Sequence, residues 1–220
     1  MATQWFHHPD WTGEETLQAF YQGVDIGLIR LDTPVTSITP AELYQPSDGS
    51  EVGRFVYMVG YGNTGTGLTG YEPDTIGYKR AGSNMIDYTG NFFLNPVPDY
   101  PYDVSENLMW VDFDSIDGDQ IDIYGGDPTP MDLEGIIAPG DSGGGTFIEV
   151  DGVWKLAGIH SFVLSVGLGN QPDSNYGDLA AMVRVSQYVD WISMYVPEPG
   201  TAMLLPLAGA MLLRRSRRHS

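Results

Sequence analysis

Ala138-Pro139-Gly140-Asp141-Ser142-Gly143-Gly144-Gly145 is the stretch on which the reading of this chain turns. A serine stands between an aspartate and a run of glycines, and a further glycine lies two residues before it. Glycine adopts both signs of φ, so such a loop can fold tightly enough for two N–H groups to converge on one oxygen. The serine hydroxyl then sits beside that oxygen, an arrangement built for acyl transfer. Gly-rich turns of ordinary β-proteins also produce short runs of this kind, so the loop alone leaves both readings open.

Four further stretches fall in a fixed order around it. Gly23-Val24-Asp25-Ile26-Gly27-Leu28-Ile29-Arg30-Leu31 is followed by Thr33-Pro34-Val35. Residues 56–64 read VYMVGYGNT. Gly158-Ile159-His160-Ser161-Phe162 comes after the loop, and Arg184-Val185-Ser186-Gln187-Tyr188-Val189-Asp190-Trp191-Ile192 lies near the far end. Over about residues 5–195 the set resembles the trypsin-like (chymotrypsin-fold) serine proteases. The loop resembles their GDSGG segment and the other four resemble "DIALLKL…PV", "xxVSGWGxT", "GIVSWG" and "RVSxYxxWI". The resemblance implies an all-β fold of two barrels, with Ser142 as nucleophile and the Gly140 and Ser142 N–H groups as oxyanion hole. It makes Asp141 the brace of the loop and Asp25 the group that orients a histidine and stabilises its imidazolium. Ser161 is implied to hydrogen-bond near Asp25 and to bind substrate backbone beside Phe162. Such chemistry runs through an acyl-enzyme and requires neither a metal nor an organic cofactor.

The family pattern is incomplete in one respect. Its histidine precedes the aspartate by about 45 residues, whereas only 24 residues precede Asp25. His7 and His8 lie in Phe6-His7-His8-Pro9-Asp10-Trp11, which resembles the family's "HPxY" surface segment and not its "TAAHC" strand. The first barrel is therefore expected to be incomplete. Met1-Ala2-Thr3-Gln4 also begins no signal peptide. One cause would account for both: a start about 20 residues too late for the histidine strand, through a misplaced start codon, a frameshift or a truncation.

The pocket that would receive the substrate's P1 side chain is implied to have Ile136 as its floor, which argues against Lys or Arg. Val163 and Ala180 fall near positions that are glycine in open pockets, so a small pocket is expected. His160 aligns with a wall residue that is histidine in glutamyl endopeptidases, where it meets a substrate carboxylate. The hydroxyl partners of that role are not matched by Ile137 and Val163. Small apolar and acidic P1 side chains both remain open.

Composition bounds the rest. The 220 residues include 28 Gly and 15 Pro, which suits short strands and turns better than long helices. The net charge is −19, and because residues 197–220 hold one Glu and four Arg, residues 1–196 carry −22. A surface this acidic disfavours nucleic acid and favours solubility. There is no cysteine, which does not exclude export. Asp112, Asp114, Asp117 and Asp119 approach a calcium-loop pattern but miss its spacing by one residue, and a solvated turn reads equally well.

The C-terminus carries a second signal. Val196-Pro197-Glu198-Pro199-Gly200 precedes a 13-residue apolar run, residues 201–213, which Arg214-Arg215-Ser216-Arg217-Arg218 closes. The run is shorter than the roughly 20 residues of a membrane span. Its basic end would stay cytoplasmic. The three parts resemble the PEP-CTERM sorting tail. That resemblance implies export to the surface or matrix of a Gram-negative-type bacterium, processing by an exosortase-type enzyme, and transient membrane contact through residues 201–213.

The expected organisation is a first-barrel remnant over residues 1–50, a second barrel with a closing helix over 51–196, and the tail over 197–220. A hairpin is expected with Asp151-Gly152 at its turn, and one helix over residues 185–195. The reading is an exported serine endopeptidase acting on a peptide or protein. The alternatives are a protease-fold binding module without catalysis and an extracellular matrix component.

Overall fold

The computed structural model describes residues 1–14, 16–90, 103–116, 128–166 and 173–196. The described residues up to 187 form one compact unit, and those from 188 to 196 belong to a second.

The chain opens with strand β1 (Ala2–His7) and a short helix α1 (Leu17–Tyr21), followed by β2 (Gly27–Leu31), which pairs antiparallel with β1. Helix α1 is started by Thr16, whose hydroxyl accepts the Ala19 N–H at 3.2 Å. Nine strands then follow: β3 (Glu42–Leu43), β4 (Phe55–Gly60), β5 (Thr64–Thr66), β6 (Gly70–Glu72), β7 (Arg80–Met85), β8 (Tyr88–Thr89), β9 (Leu108–Asp112), β10 (Gly145–Val150) and β11 (Val153–Leu164). β12 (Leu179–Arg184) ends the main sheet, whose order is β7-β4-β10-β11-β12-β9-β8 with β3 running parallel beside β11. β5 and β6 form a separate ribbon.

The sheet curls on itself. Asn84 on β7 donates to the Asp112 carbonyl on β9 (2.6 Å) and to the Gly135 carbonyl (3.0 Å), so strands far apart in sheet order meet across the barrel. Val56, Met58, Met109, Val111, Ile148 and Met182 point into the space this closes. β9 and β12 are buried along their whole length. Their other face is covered by aromatics: Trp110 and Tyr21 both pack on Phe162, at 5.5 and 5.6 Å between ring centroids.

Local sequence explains the joints. Asp151 and Gly152 have φ of 53° and 79°, the pair of positive values that a two-residue hairpin turn demands, and Val150 faces Val153 across it. The expected helix over 185–195 is two pieces. A 3-10 turn spans Val185–Gln187, and α2 covers Val189–Tyr195 in the second unit after a non-helical Tyr188.

One ion pair is fully internal. Arg184 donates Nη2 to both oxygens of Glu51 (3.1 and 3.0 Å) and Nε to one of them, while Ser186 adds its hydroxyl at 2.8 Å. A fourth bond from Arg184 runs from Nη1 to the Glu106 carbonyl at 2.7 Å. With both side chains essentially without solvent contact, removal of either partner strands a buried charge. Glu51→Ala is expected to lower unfolding stability by about 3–5 kcal/mol. Denaturant titration checks this, and the double variant E51A/R184M is expected to recover much of the loss.

Candidate active site

The 138–145 loop is pinned at three points. The Asp141 carboxylate accepts the Gly62 N–H (2.7 Å) through Oδ1 and the Ala138 N–H (3.0 Å) through Oδ2. Asn63 donates its N–H to the Pro139 carbonyl at 2.9 Å. Gly143 donates to the His160 carbonyl and His160 to the Gly144 carbonyl, each at 2.9 Å, which sews the loop to β11. Glycine is obligatory at two of these positions. Gly140 has φ of 97°, and a Cβ at Gly144 would lie 2.7 Å from both the His160 ring and the Val59 carbonyl.

Ser142 stands exposed at the tip of this loop. Among the described residues, its hydroxyl and N–H and the Gly140 N–H make no hydrogen bond within the protein. Two unspent donors flanking an exposed hydroxyl are what an oxyanion site needs before substrate arrives.

Asp25 lies just before β2 and is half-buried. Ser161 donates its hydroxyl to Asp25 Oδ2 at 2.7 Å. The register explains the aim: between His160 and Phe162 the β11–β12 pairing slips by one residue, so Ser161 is the extra residue of a bulge. Asp25 Oδ1 has no partner among the described residues.

The histidines lie elsewhere. His8 Nδ1 accepts the Asp10 N–H (3.3 Å), and His7 Nδ1 lies 3.0 Å from the His8 carbonyl. Neither Asp25 nor Ser142 is hydrogen-bonded to a histidine among the described residues.

His160 is buried, with 2% of its surface exposed. Nε2 lies 3.1 Å from Thr146 Oγ1 and Nδ1 lies 3.3 Å from the Asp141 carbonyl. Burial pushes its pKa from the usual 6.5 down to about 4, against a smaller upward pull from Asp141. A neutral ring with both nitrogens engaged inside the protein is poorly suited to meeting a substrate carboxylate, so the structure gives no support to that role for His160.

The remaining predicted pocket residues divide. A cavity of about 300 Å³ is lined by Ile136, Ala138, Asp141, His160 and Ser174 among others. Val163 lies outside that lining and packs, part-buried, on the core. Ala180 is fully buried in the core itself and also lies outside the lining. Phe162 is part-buried in the aromatic cluster, where it also touches Phe20 at 5.5 Å.

Of the calcium-like cluster, Asp117 and Asp119 lie outside the described residues. Asp112 and Asp114 are joined by Glu134, the three bringing one carboxylate oxygen each within 4.8 Å of one another. Glu134 uses its oxygens to accept the Asp114 and Met131 N–H groups, both at 2.6 Å. Glu134 was not singled out from the sequence, because 20 residues of chain separate it from Asp114. The tail, residues 197–220, also lies outside the described residues. No described helix is long and apolar enough to cross a membrane.

The chain is 28% identical over 204 residues to a tryptase of Mus musculus, an alignment covering 90% of this chain and 62% of the tryptase. The fold is chymotrypsin-like. The curled antiparallel half-barrel, the scarcity of helix and the helix α2 all agree with that likeness. The chain spans about three-fifths of the length of the curated relative it matches. No protein-family model matches it.

The shifted histidine makes stability depend on pH. Between about pH 6.5 and about pH 4 the unfolded chain binds a proton at His160 that the folded chain does not. Its contribution is therefore intact above pH 6.5 and falls as pH drops through this window, by at most about 3 kcal/mol. Denaturation midpoints measured across the window are expected to fall toward acid, with that component absent in H160N.

Proposed function

We propose that this chain carries the nucleophile, the oxyanion hole and the orienting carboxylate of a trypsin-like serine endopeptidase. The observation that carries the reading is the exposed Ser142 with the unspent Gly140 and Ser142 N–H groups beside it. Ser142 Oγ attacks the substrate carbonyl and its proton passes to a histidine. That histidine is held by Asp25, whose Oδ2 is fixed by Ser161 while Oδ1 is open to accept an imidazole N–H. The Gly140 and Ser142 N–H groups receive the oxyanion, the histidine passes its proton to the amine as the peptide C–N bond breaks, and a water deprotonated by the same histidine then hydrolyses the acyl-enzyme and frees Ser142. No metal or organic cofactor enters these steps.

The apolar side chain of Ile136 in the cavity lining supports a small apolar P1 residue. The neutrality of His160 weighs against an acidic one. The PEP-CTERM-like tail supports export and surface sorting in a Gram-negative-type bacterium, with an exosortase-type enzyme acting at the tail and transient membrane contact through residues 201–213.

A second reading is favoured by one observation: no histidine among the described residues is bonded to Asp25 or Ser142. On it, the chain is a binding module that holds a peptide in the groove without cleaving it.

With imidazole added to serve as the base, a fluorophosphonate probe is expected to label Ser142 in the wild-type chain and leave S142A unmodified. Wherever turnover of a peptide substrate is measured, S142A is expected to lower kcat by a factor on the order of 10⁴–10⁶. A panel of peptides varied at P1 is expected to be cut after small apolar residues, and cleavage after Lys or Arg would sink that assignment. Peptide binding without turnover would install the binding-module reading.

A further inference from the structure

His160 touches the nucleophile loop with its main chain and its ring at once. Its main-chain N–H and C=O bond Gly144 and Gly143. Its ring reaches the Asp141 carbonyl, which also accepts the Gly144 N–H at 2.8 Å. That carbonyl can only accept, so Nδ1 carries the hydrogen, and Nε2 accepts from the Thr146 hydroxyl. Thr146 has no solvent exposure, which fixes the ring from its far side.

The Asp141 carbonyl and the Ser142 N–H belong to one planar peptide unit and point in opposite directions. Whatever fixes the carbonyl therefore aims the N–H. We propose that His160 is a positioning residue that orients the 141–142 peptide, and with it the Ser142 N–H, toward the oxyanion site. This rests on the reading of Ser142 as nucleophile. It assigns the ring a part in the geometry of the hole and none in recognition of the P1 side chain. The burial that keeps the imidazole neutral also keeps Nε2 available as the acceptor that Thr146 requires.

Two near-isosteric variants separate the ring's two nitrogens. In His160→Asn the amide NH₂ lies where Nδ1 was, and in His160→Gln it lies where Nε2 was. The first measurement is NMR of the 1–220 chain, reading the Asp141 carbonyl ¹³C and Ser142 amide ¹H shifts. The proposal expects H160N to stay near wild type and H160Q to move both resonances, while the dispersion of the remaining spectrum shows both variants folded. A merely structural role would move both variants alike.

The second measurement is the rate at which a fluorophosphonate, with imidazole added as base, labels Ser142: the Oγ–P bond forms as P–F breaks, fluoride leaves to solvent and imidazole takes the hydroxyl proton. Loss of a whole oxyanion donor costs roughly a hundredfold or more, so a misaimed one is expected to slow labelling in H160Q about tenfold. H160N is expected to stay within about threefold of wild type.

Unchanged Asp141 and Ser142 resonances in H160Q overturn the proposal. So do shifted resonances with a wild-type labelling rate. If the wild-type chain is not labelled at all, the nucleophile reading fails, and the two resonances alone then decide whether His160 orients this peptide.

Discussion

The Asp141 carboxylate is the constraint on which the candidate site depends. It belongs to the serine loop and bonds one N–H from that loop and one from the turn after β4. Both bonds are to an ionised acceptor, the stronger kind. They require close approach: a Cβ at Gly60 would fall 1.9 Å from Asp141 Oδ1, and one at Gly62 would fall 2.7 Å from the Asp141 main-chain N. The glycines of residues 56–64 are thus part of the serine loop's geometry, although about 80 residues of chain separate them. Arg80 extends the brace by donating Nη1 to the Gly62 carbonyl at 3.0 Å and to the Thr75 carbonyl at 3.0 Å.

Rigidity at this loop follows from where it is sewn in. It joins the start of β10, and β10 lies between β4 and β11 in the middle of the sheet. Movement of the loop would have to break main-chain bonds to β11 or the Asp141 bonds to Gly62. Behind it, β12 and β9 are buried on both faces, and the Glu51–Arg184–Ser186 network locks the end of β12. That network contributes geometric definition more than net stability, since two charges removed from water recover little more than their desolvation cost. The acidic surface charge sits outside this frame and does not enter it.

Much of the frame was legible because short-range chemistry wrote it. Asp151-Gly152 can hardly be anything but a tight hairpin turn, and the alternation around it sets the strands. The Ser161–Asp25 bond was also expected, from two stretches 136 residues apart, because both carry family-like patterns. What stayed hidden depends on contacts that no local pattern encodes. His160 reads equally well as a pocket wall or as a buried prop until its partners, Thr146 and Asp141, are in place. Ala180 reads as pocket lining until the packing of β12 buries it. Glu134 joins Asp112 and Asp114 only through the fold. Helix α1 had a readable signal, Thr16 three residues before Ala19, but five residues give too little periodicity to stand out.

The bulge at Ser161 bears on what the site can be. A regular β11 would carry Ser161 on the face opposite to both His160 and Phe162 with no slip in its pairing to β12. The slip disturbs the ladder next to β12, which is buried along its whole length. What it provides is a hydroxyl on one oxygen of the half-buried Asp25, with no donor to the other oxygen among the described residues. Asp141, by contrast, draws N–H donors to both of its oxygens. Holding one oxygen and presenting the other restricts rotation of the group and aims its remaining lone pairs. That geometry suits a carboxylate whose second donor arrives from a separate segment, which is the part an orienting aspartate plays toward an imidazole.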